Sequence, residues 1–240
     1  MRGSRLRAVL GGLLLSAVLA GCHVPGFAAH QPASKQGASA YHLWNATAFV
    51  ALAVGIIVWG LILWCAIYYR RRRSATGIPS QRQYVVWLEV TYTIIPVIIV
   101  ATLFGLTLAA QHKIDAISAH PDVRVDATAF QWGWSFHYPV GDVTSTSAGD
   151  VPADLYLPVN ETVEVNLTAT DVVHGFFVPA FLFQRNAVPG SPTRFDITPT
   201  RLGTYDGKCS TFCGLNHDDM LFNVHVVTPA AFQSWLAAHR

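Results

Sequence analysis

Charged side chains are scarce in this sequence: they make up 12% of its 240 residues, whereas 52% of the residues are hydrophobic. Soluble domains usually carry about 25% charged residues. The shortage argues against a purely soluble globular protein, and the high hydrophobic content excludes a disordered chain. The composition therefore predicts membrane-embedded segments.

Acidic residues are almost absent from the first half of the chain. Residues 1–113 contain ten Lys or Arg and one acid, Glu89, a net charge of +9, whereas residues 114–240 contain six Lys or Arg and thirteen acids, a net charge of −7. This split does not fit a single basic face for nucleic acid, so we expect no nucleic-acid partner. It fits a basic membrane half followed by an acidic exported half.

Two long apolar segments account for the hydrophobic content. Residues 43–69 carry no charge, and residues 85–110 carry one acid, Glu89. At about 1.5 Å per residue, either helix spans a hydrocarbon core of ~30 Å, with lipid as the surrounding partner. These lengths favour a two-helix transmembrane hairpin over residues 43–110 and disfavour two buried helices of a soluble core.

The N-terminus has the pattern of an export signal, because Arg2, Arg5 and Arg7 precede a short apolar run. The run ends in Leu-Ala-Gly-Cys, which resembles a bacterial lipoprotein cleavage site. Residues 1–21 are therefore predicted to be a signal peptide and Cys22 a lipidation site. An ordinary signal peptide, or an uncleaved anchor, is the alternative. Residues 22–42 are predicted to form a flexible extracytoplasmic tether.

The connection between the two apolar segments contains five arginines, Arg70, Arg71, Arg72, Arg73 and Arg82. Positively charged loops stay on the cytoplasmic side. Both outer ends of the hairpin then face away from the cytoplasm, in agreement with the export signal. The sequence thus predicts a multi-pass protein of the bacterial cell membrane with an extracytoplasmic C-terminal domain.

That C-terminal domain, residues 111–228, has the pattern of an all-β sandwich or barrel. Apolar and polar residues alternate over 123–128 and 163–167, further short runs cover 194–198 and 222–227, and Gly and Pro separate them. Thr228 as N-cap and Pro229 at the first helical position predict a terminal helix over residues 229–240.

One loop of this domain combines sulfur and imidazole ligands: Cys209, Cys213, His217 and Met220 follow one another at spacings of four, four and three. Thiolate, thioether and imidazole form a soft set that suits copper. Two thiolates can bridge two ions, with His174 and His217 supplying one imidazole each, Met220 a weak ligand, and a loop carbonyl another. A binuclear copper site fits this count best. A structural disulfide and a Cys2His2 zinc site are the alternatives.

Two membrane helices, a β domain, Asp171-x-x-His174 and the Cys-Cys-His-Met loop resemble subunit II of haem-copper cytochrome c oxidase over residues 41–228. The sequence at 181–183 and 221–227 is most similar to the actinobacterial branch. The resemblance implies a cupredoxin-like fold and a binuclear copper centre, CuA. Its ligands would be His174, Cys209, Cys213, His217, Met220 and the main-chain carbonyl of Thr211.

The same resemblance implies a function as part of an oxidoreductase and translocase. Electrons would arrive from cytochrome c, or from a tethered cytochrome c domain, with Trp132 as the first acceptor. They would pass to haem in subunit I, where oxygen is reduced to water and protons are pumped; subunit III is a further expected partner. Glu89 would lie at the mouth of a proton path, or would be an interfacial carboxylate.

Other positions leave alternatives open. Thr211 stands where the family usually has Glu, which puts a magnesium site in doubt. We expect Trp134 to pack in the core, Asp171 to orient His174 or to cap a turn, and Cys65 to act as a small apolar residue. A copper-free quinol oxidase subunit, a thioredoxin-like copper chaperone or thiol oxidoreductase, and a binding lipoprotein are the competing functions.

Overall fold

The computed structural model of the protein describes residues 29–70, 77 and 83–240. The predicted signal peptide, the lipidation candidate Cys22 and four of the five loop arginines lie outside the described residues. The chain divides into two compact units. One contains the described residues up to Tyr41 and those from Lys113 onwards, and the other contains the described residues between His42 and His112.

Among the described residues, two helices are long and apolar enough to cross a membrane: α1 (Lys35–Tyr68) and α2 (Val86–Ile114). They contain 34 and 29 residues, or about 51 and 43 Å at ~1.5 Å per residue. Their most apolar stretches have a mean hydropathy of 2.6 and 2.3, and none of either stretch is buried inside the protein. Both predicted apolar helices are therefore confirmed.

Hydroxyl groups on α2 are paired within the helix. Thr91, Thr102 and Thr107 donate to the carbonyl oxygen four residues earlier, at 2.7, 2.8 and 2.8 Å. An unpaired hydroxyl is costly in an apolar surrounding. This pairing makes these three threonines compatible with a lipid environment.

Helix α1 begins at Lys35, eight residues before the predicted start, so residues 35–42 are helical and not part of a flexible tether. Ser34 is its N-cap and accepts from Gly37 N at 2.9 Å. The preceding Ala33 donates to Ala180 O at 2.7 Å and accepts from Thr200 N at 2.8 Å. This segment is thus anchored on the β domain by main-chain hydrogen bonds, which its Pro, Ser and Gly composition did not indicate.

From Gln111 to Arg240, all of which the structure describes, ten strands form two five-stranded sheets. The first has the order β3-β2-β1-β5-β8 and the second the order β4-β10-β9-β6-β7. Pairing is antiparallel except for β1 with β5 and β4 with β10. The strand bounds are β1 (Val123–Phe130), β2 (Gly133–Tyr138), β3 (Val143–Thr146), β4 (Ala153–Pro158), β5 (Val163–Ala169), β6 (His174–Val178), β7 (Phe183–Ala187), β8 (Thr193–Ile197), β9 (Gly203–Cys209) and β10 (Leu221–Val227).

The core lies between the two sheets and is rich in aromatic rings. Trp134 from the first sheet is fully buried and contacts Phe222 and Phe176 from the second, with ring centroids 5.1 and 5.8 Å apart. Alternating residues such as Val125 and Val165 fill the remaining space. The predicted β-sandwich is confirmed, and Trp134 is a core residue as expected.

The predicted terminal helix is present as α3 (Pro229–Ala238). Thr228 caps it by accepting from Ala231 N at 3.2 Å, and Pro229 occupies the first turn. Phe232 and Leu236 are buried, and the ring of Phe232 contacts that of Tyr138 with centroids 5.9 Å apart. The helix thereby packs against the last residue of β2.

Candidate metal centre

Three strand ends bring the predicted ligands together. His174 begins β6, Cys209 ends β9, and Met220 immediately precedes β10. Strands β6 and β9 are neighbours, with Phe176 opposite Cys209. Strands β9 and β10 are also neighbours, and Cys209 N donates to Met220 O at 3.0 Å. The loop 210–220 is therefore closed at its base, which holds Cys213 and His217 above the same strand ends.

The two sulfur atoms of the cysteines lie 3.8 Å apart, and both thiols are free. A disulfide requires about 2.05 Å, so the structure does not support the disulfide alternative. Cysteine sulfur binds a transition-metal ion at about 2.3 Å. A separation of 3.8 Å is short enough for one ion to contact both sulfurs.

Each sulfur has its own imidazole. His174 Nδ1 lies 3.9 Å from Cys209 Sγ, and His217 Nδ1 lies 3.5 Å from Cys213 Sγ. Met220 Sδ is 3.7 Å from Cys213 Sγ. The Thr211 carbonyl oxygen is 3.2 Å from Cys209 Sγ. The six groups named from the sequence therefore lie close enough together to surround one metal site.

Most of this cluster is closed to solvent. The donor atoms of His174, Cys209 and Cys213 lie within 4.8 Å of one another, and all three residues are buried. Met220 is 1% exposed, which leaves its thioether facing the cysteines and not water. A dry, soft set of sulfur and nitrogen donors fits copper better than magnesium, calcium or a hydrolytic zinc ion.

Burial also affects the protonation of one thiol. Burial, followed by the neighbouring Cys209, raises the pKa of Cys213 from 9 to about 12. A thiol with this pKa keeps its proton at neutral pH. A metal cation has to displace that proton, so binding of a metal to this pair releases protons.

Asp171 orients one imidazole. Its Oδ1 lies 2.8 Å from His174 Nε2, which fixes the proton on Nε2 and leaves the Nδ1 lone pair facing Cys209. Burial raises the pKa of Asp171, but hydrogen bonds from His174, Val172 N and Gln131 N outweigh it and lower the pKa below its usual range. Asp171 Oδ1 also accepts from Val172 N, the amide of the next residue, at 2.7 Å. Of the two roles considered for Asp171, the contact with His174 supports the orienting one.

Trp132 lies in the two-residue turn between β1 and β2, where it contacts the loop 210–220. Its indole Nε1 donates to Cys213 O at 3.3 Å, and the residue is half-buried. The structure therefore brings Trp132 next to a candidate ligand residue, as the first-acceptor hypothesis requires.

Three further residues of the site had no clear signal in the sequence. Gln131 donates through Nε2 to Cys213 O at 2.7 Å. Asn186 accepts from Thr211 Oγ1 at 3.0 Å. Gly175 N donates to Cys209 Sγ at 3.4 Å. The position of Gln131 beside Trp132 is the one hint that the sequence offered.

The remaining candidates do not belong to this cluster. Glu89 lies in the first turn of α2, within the helical unit, and Cys65 is exposed on α1. The side chain of Thr211 is occupied by its hydrogen bond to Asn186 and carries no carboxylate.

Comparison with known proteins gives a consistent picture. Residues 142–227 match a sequence model of the cytochrome c oxidase subunit II periplasmic domain. The chain is 35% identical to a probable cytochrome c oxidase subunit 2 of Streptomyces avermitilis, over 98% of this chain and 86% of that protein. It is 32% identical to the Mycobacterium bovis protein, over 81% of this chain and 69% of that protein.

Among solved structures, the periplasmic domain of subunit II from Bradyrhizobium japonicum aligns with a TM-score of 0.48 and 31% identity, covering 51% of this chain and 96% of that one. The family membership rests on the sequence relatives, of which the first spans nearly the whole chain. Together with the His-Cys-Cys cluster, it indicates copper binding. The apolar helices and the periplasmic-type domain fit a membrane protein with an extracytoplasmic C-terminal domain. The chain belongs to the cytochrome c oxidase subunit II family and is thus a subunit of an oxidoreductase complex.

Proposed function

We propose that this chain accepts electrons for a respiratory haem-copper oxidase through a binuclear copper centre, CuA. The observation that carries the proposal is the pair of buried, free thiols 3.8 Å apart, each with its own imidazole. The ligands would be those named from the sequence: His174, Cys209, Cys213, His217, Met220 and the carbonyl of Thr211.

The bound copper pair supplies one-electron transfer. The residues of this chain supply a rigid and dry surrounding, so that little rearrangement accompanies each electron. His174 is held by Asp171 and the loop is closed by main-chain bonding between Cys209 and Met220. No general base or nucleophile is needed for outer-sphere transfer.

The donor is proposed to be cytochrome c, or a cytochrome c domain tethered in the same assembly. Residues 114–240 carry a net charge of −7, which attracts a basic donor and makes the association rate sensitive to salt. Phe212 and Leu215 are 80% and 86% exposed and offer an apolar contact on the same loop whose Cys213 carbonyl accepts from Trp132 Nε1. These features support Trp132 as the first electron acceptor.

The electrons would pass to haem in subunit I, where oxygen is reduced to water with proton pumping, and subunit III would complete the assembly. Glu89, one turn into α2, remains a candidate for the mouth of a proton path because acids at membrane depth are rare and functional. We propose no magnesium ligand at Thr211, since its side chain has no carboxylate and bonds Asn186. Lipidation of Cys22 stays a proposal from the sequence.

Metal analysis of the purified full chain, combined with electron paramagnetic resonance, tests this function. Two copper ions per chain and a spectrum from an electron shared between two nuclei are expected. One ion per chain would contradict the binuclear site, and zinc would contradict copper.

Met220→Leu sharpens this test, because Leu has nearly the volume of Met but no sulfur. The variant is expected to keep both ions and to shift the midpoint potential, since a weak axial ligand tunes the metal without holding it. Complete loss of copper from this variant would contradict the weak-ligand role of Met220.

A further inference from the structure

One hairpin turn contacts both halves of the metal centre. The turn consists of Gln131 and Trp132 and joins β1 to β2. The main chain of Gln131 donates to Asp171 Oδ2 at 2.6 Å, and its side chain donates through Nε2 to Cys213 O at 2.7 Å. A single residue is therefore bonded to an aspartate on one side of the site and to a cysteine ligand on the other.

The main-chain hydrogen bond of Gln131 connects the turn to His174 through Asp171. Asp171 uses one carboxylate oxygen for Gln131 N and the other for His174 Nε2, at 2.6 and 2.8 Å. Because the same carboxylate holds both groups, the turn has a fixed position relative to His174.

The side-chain hydrogen bond of Gln131 ends on the same carbonyl group that Trp132 contacts. Two donors converge on the carbonyl of Cys213: the amide of Gln131 at 2.7 Å and the indole N–H of Trp132 at 3.3 Å. The amide contact is the shorter, so Gln131 holds the carbonyl in place and the indole rests against it at a longer distance.

The loop 210–220 has a glycine at the place where this turn packs against it. Gly214 follows Cys213 and has a φ of +123°, a conformation that residues with a side chain rarely adopt. A Cβ atom at Gly214 would lie 3.1 Å from Gln131 Nε2 and 3.1 Å from Trp132 Cζ2. Glycine at this position is what allows the turn to approach the loop closely.

We propose that Gln131 is a positioning residue for electron transfer, which holds the Trp132 indole against the Cys213 carbonyl. This inference rests on the function proposed above. Electron transfer weakens steeply with distance through space and is faster along bonds. The indole N–H, the carbonyl and the Cys213 side chain form one such route to a sulfur ligand. One electron leaves the donor and one arrives at the bound copper, and no bond is made or broken.

The test replaces the amide and leaves the main chain intact. Gln131→Met removes the side-chain donor, keeps the length of the side chain, and retains the N–H that bonds Asp171. Gln233→Met, at an exposed position on α3 outside the site, is the matched control. Both variants are studied in the complete oxidase, with measurement of copper content, midpoint potential, and the rate of copper reduction by reduced cytochrome c.

Gln131→Met is expected to keep its full copper content and an unchanged KM for the donor. Its reduction rate at saturating donor should fall about two- to tenfold, the range set by one hydrogen bond. Its midpoint potential should fall, because a carbonyl without its donor places more electron density near the copper. The control should match the wild type in every measurement.

An unchanged rate and potential in Gln131→Met would overturn the proposal. Loss of copper would also overturn it, because Gln131 would then be needed to assemble the site. If this variant does not assemble, Gln131→Glu preserves the shape but places an acceptor against the carbonyl. It should show the same slowing with copper retained, and a wild-type rate would refute the role. If the wild-type chain does not bind two copper ions, the proposed function fails together with this inference. The measurement of copper content in the wild type distinguishes that outcome from failure of the Gln131 role alone.

Discussion

The contact between the start of α1 and the β domain depends on a position without a side chain. At Gly37, a Cβ atom would lie 2.2 Å from Phe181 O and 2.9 Å from Phe181 C, both main-chain atoms that cannot rotate away. Gly37→Ala therefore forces the first turn of α1 away from the domain. Overpacking of this kind costs about 1–3 kcal/mol.

The displacement also strains neighbouring hydrogen bonds. Ser34 Oγ donates to Phe181 O at 3.0 Å, and Ala33 N donates to Ala180 O at 2.7 Å. Each such bond contributes about 1 kcal/mol, while alanine in a helix gains up to about 1 kcal/mol over glycine. The free energy of unfolding of the β domain should therefore fall by about 1–4 kcal/mol.

Gly55→Ala is the matched control, because Gly55 also lies in α1 but a Cβ atom added there would meet no atom within 4 Å. It should leave the β domain unchanged or stabilise the helix by up to about 1 kcal/mol.

The assay is thermal unfolding of the full chain in detergent, followed by tryptophan fluorescence, with amide hydrogen exchange read at residues 33–37. Gly37→Ala should lower the midpoint by roughly 3–10 °C and speed the exchange of these amides. If both quantities match the wild type while Gly55→Ala also does, the segment is not anchored on the domain and the packing described for it is incorrect.

The remaining predictions concern the metal centre. Trp132→Phe removes the indole N–H and should slow copper reduction by the donor in stopped-flow measurements without changing copper content; an unaltered rate would remove the assignment. Because burial raises the pKa of the Cys213 thiol to about 12, copper uptake by metal-free protein should strengthen between about pH 6 and 8 with release of protons, and uptake independent of pH would contradict this. The raised pKa also makes the stability of the metal-free fold depend on pH, because the thiol ionises more readily in the unfolded chain than in the folded one. The free energy of unfolding should be highest below about pH 9, and the unfolding midpoint should fall as the pH rises toward about 12.

The ligand loop could be predicted because its residues are close in sequence and of unusual type. Cys209, Cys213, His217 and Met220 span one loop, and His174 was identified through the same soft chemistry. The strands that carry alternating apolar residues, such as β1 and β5, were also identified with nearly their observed bounds. In these regions the local pattern and the tertiary structure agree.

Other strands carry no such pattern. Strand β9 reads Gly-Thr-Tyr-Asp-Gly-Lys-Cys and β7 reads Phe-Gln-Arg-Asn-Ala, both without a β-branched apolar residue. They form strands because β9 pairs with β10 and β6, and β7 pairs with β6. The pairing of β9 with β6 joins residues more than thirty positions apart, whereas β7 pairs with the strand directly before it. In both cases sheet pairing outweighs local propensity.

The role of Gln131 in supporting the site could not be predicted from the sequence, because its contacts are also distant in sequence. Gln131 and Cys213 are 82 positions apart, and Asp171 and Gln131 are 40 apart. Nothing in the local sequence of Gln131 indicates a hydrogen bond to the loop 210–220, because this contact forms only after β1, β2 and the loop have reached their positions in the fold.

The combination of local ligands and distant supports explains how a loop can hold a rigid site. An eleven-residue loop tied only at its ends would sample many conformations. Here the ends are tied by Cys209 N to Met220 O, while Gln131 binds Cys213 O and Asn186 binds Thr211 Oγ1. Each of these hydrogen bonds uses an atom that is not a proposed ligand atom, so the sulfur and imidazole nitrogen atoms remain available to bind metal. Fixed supports of this kind keep the rearrangement per electron small, which is the requirement that the proposed function places on this loop.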